Sequence, residues 1–268
     1  MKYTTHHRVL TLFTILCLMA CKKNKISETE RPPAPEKPLE IKKLVPVKFE
    51  SAGSTLQLKY KDNTALLTEI GDGDGNKLVI GYTAGHQPAQ LEKYKKGRLF
   101  YIAYYVLDDQ KKVAKVLTFD YDHLGNYTPT GFYTLAYHDL ERLHTISYYN
   151  HTDDLSNTCT RSYTQSGGLS EMELNMTKDP GNRMTYTFDQ KAGVSSFIPY
   201  SQLFTLEADH WFLFCAGNNV LSCQNQKLPL ENVNFTYEYN EDGYPSKISV
   251  SKNKTIQSIK VTYKILGQ

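Results

Sequence analysis

Phe119-Asp120-Tyr121-Asp122-His123-Leu124-Gly125 and Tyr237-Glu238-Tyr239-Asn240-Glu241-Asp242-Gly243 follow one pattern: aromatic, any residue, aromatic, Asp or Asn, two spacers, glycine. Aromatics at i and i+2 pave one face of an extended strand. The Asx side chain opens a turn by bonding its own backbone, and glycine supplies the positive φ that closes it. Each copy is a strand with its turn, and self-similarity of this kind implies a sheet extended one hairpin at a time. Looser copies stand at Tyr186-Thr187-Phe188-Asp189, where Gly193 comes late, and at Leu135-Ala136-Tyr137-His138, which lacks the glycine.

Period-two alternation continues on both sides of these units. Leu56, Leu58 and Tyr60 share a face, as do Leu78, Ile80 and Tyr82, then Leu117, Phe119 and Tyr121, then Tyr133, Leu135 and Tyr137. Tyr186 with Phe188, Phe235 with Tyr237 and Tyr239, and Ile259 with Val261, Tyr263 and Ile265 complete the series. Turn chemistry at Gly71–Asn76, Gly85–Pro88, Lys96-Gly97, Gly125-Asn126, Gly167-Gly168, Asp179–Asn182 and Asp242-Gly243 separates the runs and leaves no room for crossover helices. The fold class predicted is all-β: a curved antiparallel meander of repeated hairpins, with closure to a barrel-like or a sandwich form left open. Leu99 to Leu107 is apolar on both faces, Leu99, Tyr101, Ala103 and Tyr105 on one and Phe100, Ile102, Tyr104 and Val106 on the other. That pattern predicts cover on both sides.

The first residues carry an address. Lys2 and Arg8 precede an apolar run from Val9 to Met19, too short to span a bilayer, that ends in Leu18-Met19-Ala20-Cys21. This is the cleavage box of a bacterial lipoprotein, with Cys21 as the lipidated residue; the competing reading is an ordinary secretory signal. Without residues 1–20 the chain keeps 29 basic residues (31 less Lys2 and Arg8) against 28 acidic ones, a balance that argues against a nucleic-acid partner. Residues 21–47 crowd charge with Pro32, Pro33, Pro35, Pro38 and Pro46, as a disordered tether does, and 48–268 form a single all-β domain. The expected membrane contact is the N-terminal lipid, at the outer membrane, with the periplasmic and surface faces both open.

Catalytic and metal signals are weak. Asp72, Asp74 and Asn76 alternate like the opening of a calcium loop, but Lys77 and Thr83 stand where the glycine and the bidentate acid belong, so a hairpin turn is the preferred reading. His151 with Asp153 and Asp154 is the densest acid-imidazole cluster, and a solvated loop explains it. Ser249-Val250-Ser251-Lys252 spells Ser-x-x-Lys, yet lies on a predicted strand and lacks the partner motifs. No metal site, cofactor or catalytic residue is called. Cys215 and Cys223 are the first choice for a disulfide, against buried thiols, and Cys159 is left over. Residues 200–216, with Phe204, Trp211, Phe212 and Phe214, form the most apolar stretch after the signal and read as a short helix or a loop plugging one sheet face. Trp211, the only tryptophan, is the candidate ligand-binding residue as cover over a cavity, with plain core the preferred reading.

At its aromatic-x-aromatic-Asn-x-x-Gly hairpins the chain resembles tyrosine-rich YD-type (Rhs-like) repeats. It resembles more closely a group of Bacteroidota cell-envelope lipoproteins with a porin-like domain of unknown function. The stretches Tyr186–Asp189, Phe197-Ile198-Pro199 and Asn218-Asn219-Val220 are similar to a long excursion between strands in such proteins. The resemblance implies a curved antiparallel sheet and an envelope site, and no activity. Function is accordingly read as non-enzymatic binding or scaffolding. A glycan-binding accessory role in polysaccharide uptake is the alternative, because tyrosine faces stack on sugar rings, and a hydrolase built on His151 is the third reading.

Overall fold

The computed structural model of the chain describes residues 42–138, 142–179, 182–204, 206, 211–215 and 217–266. Sixteen strands follow in chain order: β1 Leu44–Ser51, β2 Ser54–Tyr60, β3 Leu67–Gly71, β4 Lys77–Tyr82, β5 Pro88–Lys95, β6 Arg98–Leu107, β7 Val113–Tyr121 and β8 Tyr127–Tyr137. The second half contributes β9 Leu143–Asn150, β10 Leu155–Tyr163, β11 Leu169–Met176, β12 Arg183–Phe188, β13 Val220–Asn225, β14 Val233–Tyr239, β15 Pro245–Lys252 and β16 Thr255–Ile265. Each strand pairs antiparallel with its chain neighbours, and β16 returns to β1, so the sheet closes into a barrel and not a sandwich. β1 opens at Leu44, so the barrel takes in residues 44–47 that sequence reading gave to the tether.

One device repeats around one rim. The last residue of an even-numbered strand pairs with the first of the next strand just past a register shift: Tyr60 with Leu67, Tyr82 with Pro88, Leu107 with Val113, Tyr137 with Leu143, Tyr163 with Leu169, Phe188 with Val220 and Tyr239 with Pro245. The extra residue lies on the incoming strand, so two apolar residues three apart both face inward. Leu67 and Ile70, Val113 and Val116, Leu143 and Ile146, and Leu169 and Met172 are such pairs, all buried. A bulge disturbs the ladder beside it, and tyrosine answers that: the hydroxyls of Tyr60, Tyr82, Tyr137, Tyr163, Tyr237 and Tyr263 donate to the carbonyls of Pro46, Leu67, Val113, Leu143, Val220 and Pro245 at 2.5 to 2.9 Å.

The two sequence copies share a turn but not a face. Asp122 N–H donates to Asn126 O and Gly125 N–H to Asp122 O; Asn240 donates to Tyr244 and Gly243 to Asn240 in the same way. The first turn joins β7 to β8 at one rim and the second joins β14 to β15 at the other. Tyr237 packs against the core, whereas Phe119 and Tyr121 point outward.

Inward positions form one apolar cluster that includes Val45, Phe49, Leu58, Ile80, Leu91, Val116, Ile146, Phe235, Ile248 and Val261. The segment between β12 and β13 joins it. Val194, Ile198, Leu203, Phe204, Leu213 and Phe214 are buried in the same cluster, so the described residues between Asp189 and Asn219 fold back into the barrel as an internal plug. Asp189 clamps the neck of this plug, accepting from Asn219 N and Nδ2 at 3.0 Å each and from the Tyr239 hydroxyl at 2.8 Å. Cys215 and Cys223 are not joined by a disulfide, which corrects the expected bridge. Cys215 belongs to the plug, while Cys223 faces inward on β13 opposite Tyr186. Burial pushes both thiols up, away from the reactive thiolate.

Candidate functional site

Most of the barrel's outward face is polar. Thr55, Gln57 and Lys59 on β2, Thr158, Thr160 and Ser162 on β10, and Ser258, Lys260, Thr262 and Lys264 on β16 alternate with inward residues, all apolar but Arg161 on β10. Cross-strand ion pairs such as Lys59 with Glu69 (2.7 Å), Lys247 with Glu238 (2.6 Å) and Arg183 with Glu173 decorate it. A barrel that spans lipid needs the opposite arrangement, an apolar outer band.

Strands β6 to β9 break the rule. Phe100, Ile102, Tyr104 and Val106 on β6, Leu117, Phe119 and Tyr121 on β7, Tyr127 and Phe132 on β8 and Tyr149 on β9 all lie on the outward side of the pairing registers. None belongs to the interior cluster. Phe100, Tyr104, Val106 and Tyr127 are exposed, Tyr127 by 64 %. Sequence reading expected an element over this face of Leu99–Leu107; among the described residues none covers it. Tyr105 and Ala103 have their cover from the core, and the opposite side of the same strand is left as a platform.

The rings support one another. Tyr104 meets Phe119 edge-on with centroids 5.9 Å apart, Phe119 meets Tyr127 at 5.8 Å, and Phe132 stacks on Tyr149 at 5.0 Å and 10°. The Lys115 ammonium sits 3.6 Å from the Phe132 ring centroid, a cation–π contact that pins one end of the platform. Polar groups rim the other: Glu92, paired with Ile102, accepts from Gln90 Nε2 at 3.1 Å and from the Tyr94 hydroxyl at 2.7 Å. The Tyr94 phenol is raised chiefly by that bond to Glu92, and the Tyr104 phenol by burial and then by its neighbour Tyr121.

The residues singled out in the sequence are not brought to this platform. Asp72 accepts from the N–H groups of Asp74 and Asn76 and from Asn76 Nδ2, an Asx turn whose hydrogen bonds hold its carboxyl below the usual range. His151 is exposed in the β9–β10 turn, where Asp154 accepts from Thr152 and Asn150 and is lowered by them. Ser249 and Lys252 lie three apart on β15 and so face opposite ways. Cys21 lies outside the described residues; Trp211 opens a short 3₁₀ turn (Trp211–Leu213), and its side chain lies outside them too. The platform residues were visible as a doubly apolar strand and as the set Leu117, Phe119 and Tyr121, but alternation alone does not say which face is inward.

A closed antiparallel barrel with a plugged, apolar interior is the class these features define. The fold is similar to that of a porin-like protein from Bacteroides uniformis, at 16% identity and a TM-score of 0.53, with 82% of this chain and 96% of that one covered. A porin-like protein from Bacteroides vulgatus is matched at 14% identity and a TM-score of 0.37, over 82% of this chain and 99% of that one. No family model and no curated protein matches the chain.

Proposed function

We propose that the chain is a lipid-anchored binding protein of the outer membrane, non-enzymatic, whose barrel stands beside the bilayer and presents the β6–β9 face to a partner. The observation that carries this reading is the reversal of polarity: charge and hydroxyls on most of the outer wall, apolar side chains within, and one aromatic field left uncovered. Such a wall is unsuited to hydrocarbon. The anchor is then Cys21, reached through the proline-rich segment after it. Cys21→Ser should abolish labelling of the chain by a fatty-acid analogue in a bacterial host; undiminished labelling removes the anchor from the account.

The partner that fits the platform is a neutral glycan. Flat tyrosine and phenylalanine rings stack against the C–H faces of sugars, while the Glu92, Gln90 and Lys115 side chains stand close enough to serve ring hydroxyls. A bilayer fits less well, because the Glu92 carboxylate at the platform's rim would enter an apolar medium at a cost in free energy. Tyrosine fluorescence of the full chain should be quenched by neutral hexose oligosaccharides. The double variant Tyr104→Ala/Phe119→Ala should weaken binding roughly tenfold or more while leaving the barrel folded. Quenching by lipid vesicles and not by oligosaccharides would instead make the platform a membrane contact.

A further inference from the structure

The barrel interior holds a charge that the apolar core does not explain. Arg161 lies on β10 between Cys159 and Tyr163, faces inward opposite Met172 and is only 2 % exposed. Its Nη1 donates to Gln202 Oε1 at 3.2 Å, the Cys159 thiol lies against it, and its Nε has no hydrogen-bond partner. Its neighbours in the fold are thiols, a carboxamide and the phenol of Tyr137, and among the described residues no carboxylate comes within ion-pairing distance of the guanidinium. Burying a guanidinium without an opposite charge is costly, and natural cores avoid it unless an anion shares the site.

A cavity of about 310 Å³ opens beside it. Tyr163 and Leu169 form the inward pair next to Arg161 and Met172 on β10 and β11, and both line this cavity. The plug supplies Ser201 and Gln202, so the residue that accepts from Arg161 is itself part of the wall. Arg142 lies at the same wall, with its guanidinium carbon 5.5 Å from the Tyr163 ring centroid. The wall also contains Tyr200, whose φ of 61° is a left-handed conformation that a bulky side chain keeps only where its surroundings force it. A polar hollow, a buried cation one side chain away and local backbone strain thus coincide between β10, β11 and the plug.

We propose that this cavity binds a small organic carboxylate, its charge met by Arg142 and, across Gln202, by Arg161, and its carbon skeleton by Tyr163, Leu169 and Ile198. The volume lies at the small end of ligand pockets, and its mixed apolar and polar wall suits an organic acid better than a bare inorganic anion. In a medium of low dielectric constant the field of Arg161 acts across one intervening side chain with little screening. The site is separate from the outer platform and stands or falls without it.

Glucuronate, a compact sugar acid, serves as the probe and inorganic phosphate as the control, with calorimetry and thermal melting of the full chain as readouts. Glucuronate should bind the wild type and raise its melting midpoint. Arg161→Met should melt no lower than the wild type in the absence of probe, since a buried ion with no counter-ion among the described residues is exchanged for an apolar side chain, and should lose at least about tenfold in affinity. Arg142→Gln should also weaken binding, which keeps the idea testable should the core variant fail to fold. Absence of binding to the wild type at millimolar probe, undiminished affinity in both variants, or equal affinity for phosphate would overturn the assignment.

Discussion

Raising the pH from 10 towards 12 should unfold the barrel in a single cooperative step, with phenolate absorbance and loss of the strand circular dichroism rising together. The cause is the ring of inward tyrosines at the bulges. Burial raises the Tyr137 phenol from 10.0 to about 12, and raises Tyr60, Tyr82, Tyr237 and Tyr263 in the same direction. A phenol whose folded value lies above its unfolded one stabilises the fold in its neutral form. That contribution is complete below pH 10 and disappears as the pH climbs through the folded value. Each ionisation also removes the donor that serves a strand-end carbonyl, so the first phenolates weaken the bulges that hold the others. Tyr263→Phe sharpens the test. It should cost about 1 to 3 kcal/mol at neutral pH, because the Pro245 carbonyl loses its donor, yet reduce the alkaline loss, because one ionisable group is gone. Tyrosines that titrate near 10 without change in dichroism would show that these hydroxyls are not built into the fold.

The same residues explain how far the sequence could be followed. Alternation at Leu56, Leu58 and Tyr60, or at Ile259, Val261 and Tyr263, locates strands directly because pleating has a period of two. What alternation misses is the bulge. Leu143 and Ile146 are three apart and should face opposite ways, but an inserted residue turns both inward. The repeat that builds the barrel is an aromatic followed six residues later by an apolar residue and nine later by another, as in Tyr137, Leu143 and Ile146 or Tyr163, Leu169 and Met172. The aromatic-x-aromatic-Asx pattern caught only the turn, which is why it equated Phe119–Gly125 with Tyr237–Gly243 although their rings lie on opposite faces and their turns on opposite rims. Closure was not legible either, since it depends on β1 meeting β16 across the whole chain. The plug was legible in part: the apolar run 200–216 read as a short helix or a loop plugging one sheet face, and Phe204 and Phe214 do complete the core, but residues 189–199 lack strand alternation and gave no sign of joining it. Arg161 alternates with polar neighbours in the sequence, and nothing local distinguishes it from a solvated arginine until β10 is seen to turn it inward.

Gly131→Ala should be among the most damaging single substitutions in the chain, costing at least about 3 kcal/mol in urea unfolding, and it should disable the outer platform in whatever fraction folds. Gly131 sits on β8 with φ of 151°, and an added Cβ would lie 2.1 Å from the Tyr149 carbonyl oxygen and 2.9 Å from the Tyr148 hydroxyl. The first obstacle is backbone, so no rotamer change relieves it. The obstructed contacts are themselves structural: Gly131 O accepts from the buried Thr118 hydroxyl at 2.9 Å, and Thr130 O accepts from Tyr148 at 3.0 Å. The neighbouring residue, Phe132, stacks on Tyr149 and carries the Lys115 ammonium over its ring. To admit a methyl group β8 must move away from β9, and that movement unstacks the pair. Gly125→Ala provides the contrast. Its φ of 84° also lies in the left-handed region, but nothing stands within 4 Å of the added Cβ, so its cost is conformational alone, about 1 kcal/mol. Equal losses for the two variants would show that strand separation at Gly131 is adjustable, and that the closeness of β8 to β9 is not what holds the aromatic platform flat.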